Sequence, residues 1–440
     1  MRAVSQVRFR RARRFPPRPL RGKRRSLLEV IRRAALALGA AAVVLVALEA
    51  VLRVCVTPSP HSAGRLFGSE LPPVQLIPPE PPRPARRDAQ PGRIRFDDLS
   101  GLVRDDVVLG YTSREHAIST NGWWQSNNVG ARARRDTAAT TAPGTTRVLV
   151  FGDSFAAGSR VPQESAWPAV LEAADPGLEV VNFGVDGYSL AQSLLRYRGV
   201  GASLAHDVVI LTLSPRADLW REVNTLRALA GWRSYRVMPR FVLDDGLKLV
   251  PSPYDPPSAV HADNPSGLGP RLREHLRRYD RFYVPWMYDP PRGLARHSVL
   301  AKLVLARWHA RLMRRLHEDA LDPRSEAVAV SAGIVQAMRA DAAARGARFL
   351  LVLLPSEIDL GRLRRRAGYR EQWRAIAAVV ARDGVACVDL ADALVAAPAE
   401  RIDRGYDGTH HGPRTNALVA GVVGHALAAP QALACGAPGA

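Results

Sequence analysis

Five short apolar runs, each followed by a stretch of helical composition, constrain this chain more than any other feature. They are 147–152, 178–182, 207–213, 347–354 and 385–390. Runs of Val, Ile and Leu without polar alternation belong to strands covered on both faces. Strands that alternate with helices make a parallel sheet, because each return to the same edge needs a crossover. The helical stretches are 163–174, 189–200, 325–345 and 369–382, with a last helix over 413–428. The predicted fold is α/β: a three-layer, flavodoxin-like α/β/α sandwich with about five parallel strands. The pattern breaks once, at 221–324, an insertion with a predicted hairpin over 240–250 turning at Asp245-Gly246, a Pro-rich run, and a basic helix over 297–317. An insertion of that size above a sheet is expected to serve as a lid or a substrate wall.

Ahead of the sheet lies a different kind of sequence. Residues 34–56 are Ala, Leu and Val interrupted only by Gly39, Glu49, Arg53 and Cys55. As a helix this segment reaches about 34 Å, enough to cross a hydrocarbon core of about 30 Å. Glu49 and Arg53, four apart near its far end, can pair and snorkel to the interface. Residues 1–33 hold 13 Arg or Lys and one acid, Glu29, and so carry +12 of the net +21. That tail reads as an unstructured cytoplasmic arm that orients a single span and sends the rest of the chain to the periplasm or exterior. Positive-inside topology accounts for the charge without nucleic acid. A cleaved signal peptide is the alternative, since the uninterrupted apolar part, 34–48, is only 15 residues; no clean small-x-small site follows, and Leu52-Arg53-Val54-Cys55 is a poor lipoprotein box.

Residues 57–95 are dense in proline and read as a semi-rigid spacer. A folded domain over 96–430 follows, then a short tail, 431–440. Trp123 and Trp124 in its lead-in either pack or lie near the membrane. Cys55, Cys387 and Cys435 lie far apart without a CxxC pair, which argues against a disulfide framework and a zinc site, with Cys387 read as packing. The basic helix carries Lys302, Arg307, Arg311, Arg314 and Arg315 beside Leu300, Leu303, Leu312 and Leu316. It reads as a solvated face over a core contact or as a contact with anionic lipid.

The chemistry-bearing residues fall after strand ends, where open α/β sheets hold their ligands. Gly152-Asp153-Ser154-Phe155 follows the first strand, 182–188 with Gly187 follows the second, and Asp407-Gly408-Thr409-His410 stands before the last helix. A serine nucleophile needs a base, and the base needs an acid to fix its tautomer. Asp and His three apart supply both from one turn. His411 is the alternative base.

On these blocks the sequence resembles the SGNH hydrolases, the GDSL-type esterases and lipases, over roughly 109–428. The resemblance implies Ser154 as nucleophile, His410 as general base and Asp407 as its partner. The N–H groups of Ser154 and Gly187 would be oxyanion donors, and Asp153 would stabilise the turn. The third block departs from the pattern: Ala217-Asp218 stands where the family has Asn-Asp, and alanine cannot donate. Arg216 or a residue of the insertion would have to substitute.

The resemblance, taken with the N-terminal apolar segment and its flanking charge, therefore implies a membrane-anchored, extracytoplasmic serine esterase working through an acyl-serine intermediate on an ester of glycan or lipid type, without a cofactor or metal. An O-acyltransferase or deacetylase acting on envelope polysaccharide, and a non-catalytic scaffold or carbohydrate-binding domain that kept the fold, are the competing readings.

Overall fold

The computed structural model describes residues 21–77, 93–94, 101–232, 234–264, 267–429 and 435. At its centre is a five-stranded parallel sheet of β1 (Thr146–Phe151), β2 (Leu178–Asn182), β3 (Val208–Leu213), β4 (Arg348–Leu353) and β5 (Cys387–Asp389), in the order β2-β1-β3-β4-β5. This is the flavodoxin-like order expected, with β1 and β3 diverging at a topological switch point. Register is set by pairs such as Val148 with Val208 and Leu351 with Cys387. Every residue of β3 is buried, as its unbroken apolar run requires.

The helices fall in two layers. Leu149, Phe151 and Leu211 face α4 (Leu190–Gly199), α6 (Glu326–Ala343) and α7 (Ala367–Val380) in one core; the intervening Val148, Val150 and Ile210 face α3 (Trp167–Ala174) and α8 (Pro413–Ala428) in the other. A four-residue turn of helix, α2 (Ser154–Ala157), follows β1 directly.

Four expectations need correction. The N-terminal helix, α1 (Arg21–Cys55), begins well before residue 34, and its span of membrane-compatible hydropathy is Leu27–Cys55. The basic residues preceding the apolar run are good helix formers and extend it. The supposed spacer is folded over 57–77: strands Arg65–Leu66 and Ser69–Glu70 pair, Leu66 and Leu71 bury against the end of α1, and Ile77 enters the main core. Apolar side chains set between its prolines have surface to bury, which a polyproline spacer lacks. Residues 78–92 lie outside the described residues, as do 1–20. Cys387 and Cys435 form a disulfide, closing β5 to the C-terminal segment, while Cys55 is free and exposed. Fold proximity, invisible in sequence spacing, brings those two cysteines together. Arg216 is the fourth, described with the site.

The insertion forms the hairpin Arg240–Leu243 and Leu247–Val250, joined by the three residues 244–246, of which Asp245 and Gly246 are at positive φ. The basic helix, α5 (Val299–Asp319), is N-capped by Ser298, whose hydroxyl accepts from the Ala301 N–H. The hairpin packs on α6, with Leu243 and Leu247 against Gly333. Trp124 is buried in a small cluster with Leu102, Ala117 and Ala157, consistent with packing.

Candidate active site

Ser154 opens α2 at the carboxyl end of β1, and the turn that delivers it is built tightly. Gly152 has φ +148°, and a Cβ there would lie 2.1 Å from Thr212 Oγ1, so no other residue fits. Asp153 N-caps the helical turn by accepting from the Phe155 N–H at 2.8 Å. Arg132, buried on the other side, donates to the carbonyls of Ala157, Gly158, Val161 and Trp123 and to Gln163. Carbonyls at the end of a helical turn attract a cation, and this one fixes where α2 stops.

Ser154, His410 and Asp407 come together from opposite ends of the domain. The Ser154 Oγ lies 2.8 Å from His410 Nε2, and His410 Nδ1 lies 2.6 Å from Asp407 Oδ2. A carboxylate beside Nδ1 accepts its proton, which leaves the Nε2 lone pair free to accept the serine hydroxyl. Burial opposes ionisation of Asp407, but the N–H and hydroxyl of Thr409, the His410 ring and the His410 N–H outweigh it and hold the carboxyl well below the usual range. Phe155 stacks on the His410 ring at 4.9 Å. Such an arrangement can activate a hydroxyl for attack on a carbonyl.

His411 is held elsewhere. Its Nε2 donates to the Pro355 carbonyl at 2.9 Å, and burial lowers its pKa to about 4. A ring whose proton is committed to a buried carbonyl cannot serve Ser154.

Gly187 sits where the second block ends, at φ +77°, and a Cβ there would approach Tyr111 Oη to 2.9 Å and the Trp232 ring to 3.4 Å. Trp232, from the insertion, thus forms a wall beside this glycine. Tyr111 donates to the Asp186 carbonyl at 2.7 Å and Tyr188 donates to the Tyr111 carbonyl at 2.8 Å, tying the lead-in to the second block. Arg160 joins Asp186, at 3.1 Å, to Asp407, at 3.5 Å.

Arg216 does not take the place of the missing asparagine. Its guanidinium donates to Glu318 at 3.1 Å, and Arg362 binds the same carboxylate at 3.0 Å. The cation that reaches the Asp153–Ser154 turn is Arg221, which the sequence pattern did not single out. Its Nη1 donates to Asp218 Oδ1 at 2.7 Å, to the Tyr188 carbonyl at 2.9 Å and to Asp153 Oδ2 at 3.2 Å. Those partners are the immediate neighbours of Ala217, Gly187 and Ser154, so one side chain fastens all three blocks. The Trp232 ring covers it at 5.0 Å. Burial and the adjacent Asp153 carboxylate push Asp218 well above the ordinary carboxylate range, against the pull of Arg221. The only available hint was the i, i+3 spacing of Asp218 and Arg221.

No protein-family profile matches the sequence, and no curated protein matches it. Among solved structures, an α/β-hydrolase enzyme from the metagenome of Lake Arreo is 14% identical, with a TM-score of 0.33, over 64% of this chain and 95% of its own. A member of the lipolytic protein G-D-S-L family from Veillonella parvula is 12% identical, with a TM-score of 0.30, over 66% of this chain and all of its own (100%). An acetylxylan esterase from Geobacillus stearothermophilus is 13% identical, with a TM-score of 0.32, over 64% of this chain and 93% of its own.

Proposed function

We propose that this chain is a membrane-anchored serine esterase of the SGNH type, facing the periplasm or exterior, and that it cleaves carboxylic esters through an acyl-Ser154 intermediate. The observation that carries the reading is the Ser154–His410–Asp407 relay, with contacts of 2.8 and 2.6 Å. His410 Nε2 takes the hydroxyl proton as Ser154 Oγ bonds to the ester carbonyl carbon, and Asp407 steadies the imidazolium. The N–H groups of Ser154 and Gly187 receive the developing oxyanion. The proton then passes from Nε2 to the departing alcohol oxygen as its bond to carbon breaks. A water, deprotonated by His410, attacks the acyl-serine, and the proton returns to Ser154 Oγ as the acid leaves.

Three observations support the anchored, exported arrangement. The helix is long and apolar enough to span, the cations precede its apolar stretch, and a disulfide links Cys387 to Cys435, as suits an oxidising compartment. Contacts from Glu49 and Leu52 to the folded domain favour retention of the helix over cleavage.

The test is covalent labelling of the full chain in detergent with a fluorophosphonate probe. Wild type is expected to be labelled and Ser154→Ala is not; equal labelling of the two would sink the assignment.

A further inference from the structure

The basic helix α5 is joined to the end of α1 in a specific way. Glu49 of α1 accepts the Val299 N–H at 2.8 Å, the Leu300 N–H at 3.0 Å and the Ser298 hydroxyl at 2.9 Å, so its carboxylate caps the N-terminus of α5. Arg53 donates to the His297 carbonyl, and Leu52 is buried against Val299, Leu300 and Leu303. If α1 crosses the bilayer, the first turn of α5 therefore starts within two turns of the end of the span, at the level of the headgroups.

From there α5 continues for five further turns, and its outward face is not an ordinary solvated one. Val304 and Trp308 are 59% and 54% exposed, and Arg307, Arg311, Arg314 and Arg315 lie on the same face at helical spacing. This stripe continues the one on which Leu300 and Leu303 meet α1. Of the two acids that end α5, Glu318 is occupied by Arg216 and Arg362, while Asp319 pairs with one member of the stripe, Arg315, at 3.6 Å. Trp286 stacks on Trp308 with ring centres 5.0 Å apart and planes parallel, and Trp286 itself lines a cleft of about 1300 Å³ together with Arg292, Arg296 and Val304. Leu294, at the cleft mouth, is 85% exposed. Exposed indole and aliphatic surface flanked by arginines is the composition of an interfacial helix.

We propose that this face of α5, with the stacked Trp286/Trp308 pair and the adjoining cleft that Trp286 lines, seats on the membrane that α1 spans and binds anionic phospholipid there. The proposal rests on the anchored reading above. It sets a second contact with the bilayer, in addition to the span, and so fixes the orientation of the domain on the surface.

The test uses the full chain in nanodiscs. Phosphatidylcholine discs contain a fixed fraction of either brominated phosphatidylglycerol or brominated phosphatidylcholine, and quenching of tryptophan emission is compared between wild type and Trp308→Phe. Wild type should lose a larger fraction of its emission than Trp308→Phe, and about twofold more with the brominated anionic lipid than with the zwitterionic one. Replacing Arg311, Arg314 and Arg315 with Gln should bring that ratio to about one, with fluorophosphonate labelling retained as evidence of an intact fold. Equal quenching of wild type and Trp308→Phe, or no preference for the anionic lipid, overturns the proposal. Insertion of α1 is scored separately by resistance to alkaline carbonate: a chain that stays inserted without Trp308 quenching sinks this inference alone, whereas a chain that is extracted sinks the anchored reading and this inference with it.

Discussion

Arg221 donates to Asp153 at 3.2 Å, the residue immediately before Ser154 in the chain. The same nitrogen reaches Asp218 and the Tyr188 carbonyl, so the guanidinium is a positioning group for the loops around the serine rather than a reacting one. Removing it leaves two buried carboxyl groups facing each other without a cation. Arg221→Gln is expected to destabilise the fold by about 3–5 kcal/mol. Arg221→Lys, which keeps the charge but not the fork, should fold better and still lose kcat at nearly unchanged KM. Thermal melts and steady-state kinetics on a chromogenic ester distinguish these outcomes.

Gly187 admits no side chain. A Cβ there would collide with Tyr111 Oη at 2.9 Å, and φ +77° disfavours any L-residue by about 1–2 kcal/mol. If its N–H receives the oxyanion, Gly187→Ala should lower kcat by roughly 10²–10³-fold. Gly187→Ala paired with Tyr111→Phe, which removes the obstructing oxygen, should regain part of that loss. No regain in the double variant would mean that backbone conformation, and not the clash, dominates.

Acid should weaken the fold through buried histidines. His411, His275 and His309 are each lowered to about 4 by burial, from an ordinary value near 6.5. The unfolded chain binds protons there first, so stability is full above about pH 6.5 and is lost as pH falls toward 4. Each contributes on the order of 3 kcal/mol across that window. Melting temperatures of wild type and His411→Gln between pH 7.5 and 4.5 check this. The wild-type curve should be the steeper one, because the variant has one fewer proton to take up on unfolding.

The Cys387–Cys435 bond should matter only to the tail end of the fold. It closes a separation of 48 residues, for which loop-closure entropy gives a stabilisation of about 4 kcal/mol at most. Reduction with dithiothreitol is expected to lower the melting temperature of wild type and leave that of Cys387→Ser unchanged. Fluorophosphonate labelling of Ser154 should survive in both, since neither cysteine touches the site.

The sheet was legible because burial on two faces leaves an unbroken apolar run, and 178–182 and 413–428 coincide with the observed elements to the residue. That Ser154, His410 and Asp407 meet in space was legible because the chemistry proposed for them demands particular residue types at the ends of strands. What escaped the pattern is cationic. Arg132 and Arg221 are buried among carbonyls and carboxylates supplied mostly by distant segments, and apart from Asp218, three residues before Arg221, nothing in the local sequence of either marks its partners. Arg216, nearer in sequence to Ala217, was the natural candidate, yet Glu318 from the end of α5 holds it. The folding of 57–77 was obscured in the same way: its prolines dominate the composition, while Leu66, Leu71 and Ile77 decide its structure by what they meet in space.

Glu49 makes the last two turns of α1 a structural member of the domain it carries. A tether that swings freely would let one molecule sweep a wide radius of the envelope. Here the attachment is a bracket. Were α1 to span a bilayer as proposed, Ser154 would be held at one height and one tilt, the esters it met would be those that arrive at that level, and lengthening the chain between residues 57 and 77 would not extend its reach while the cap at Val299 holds.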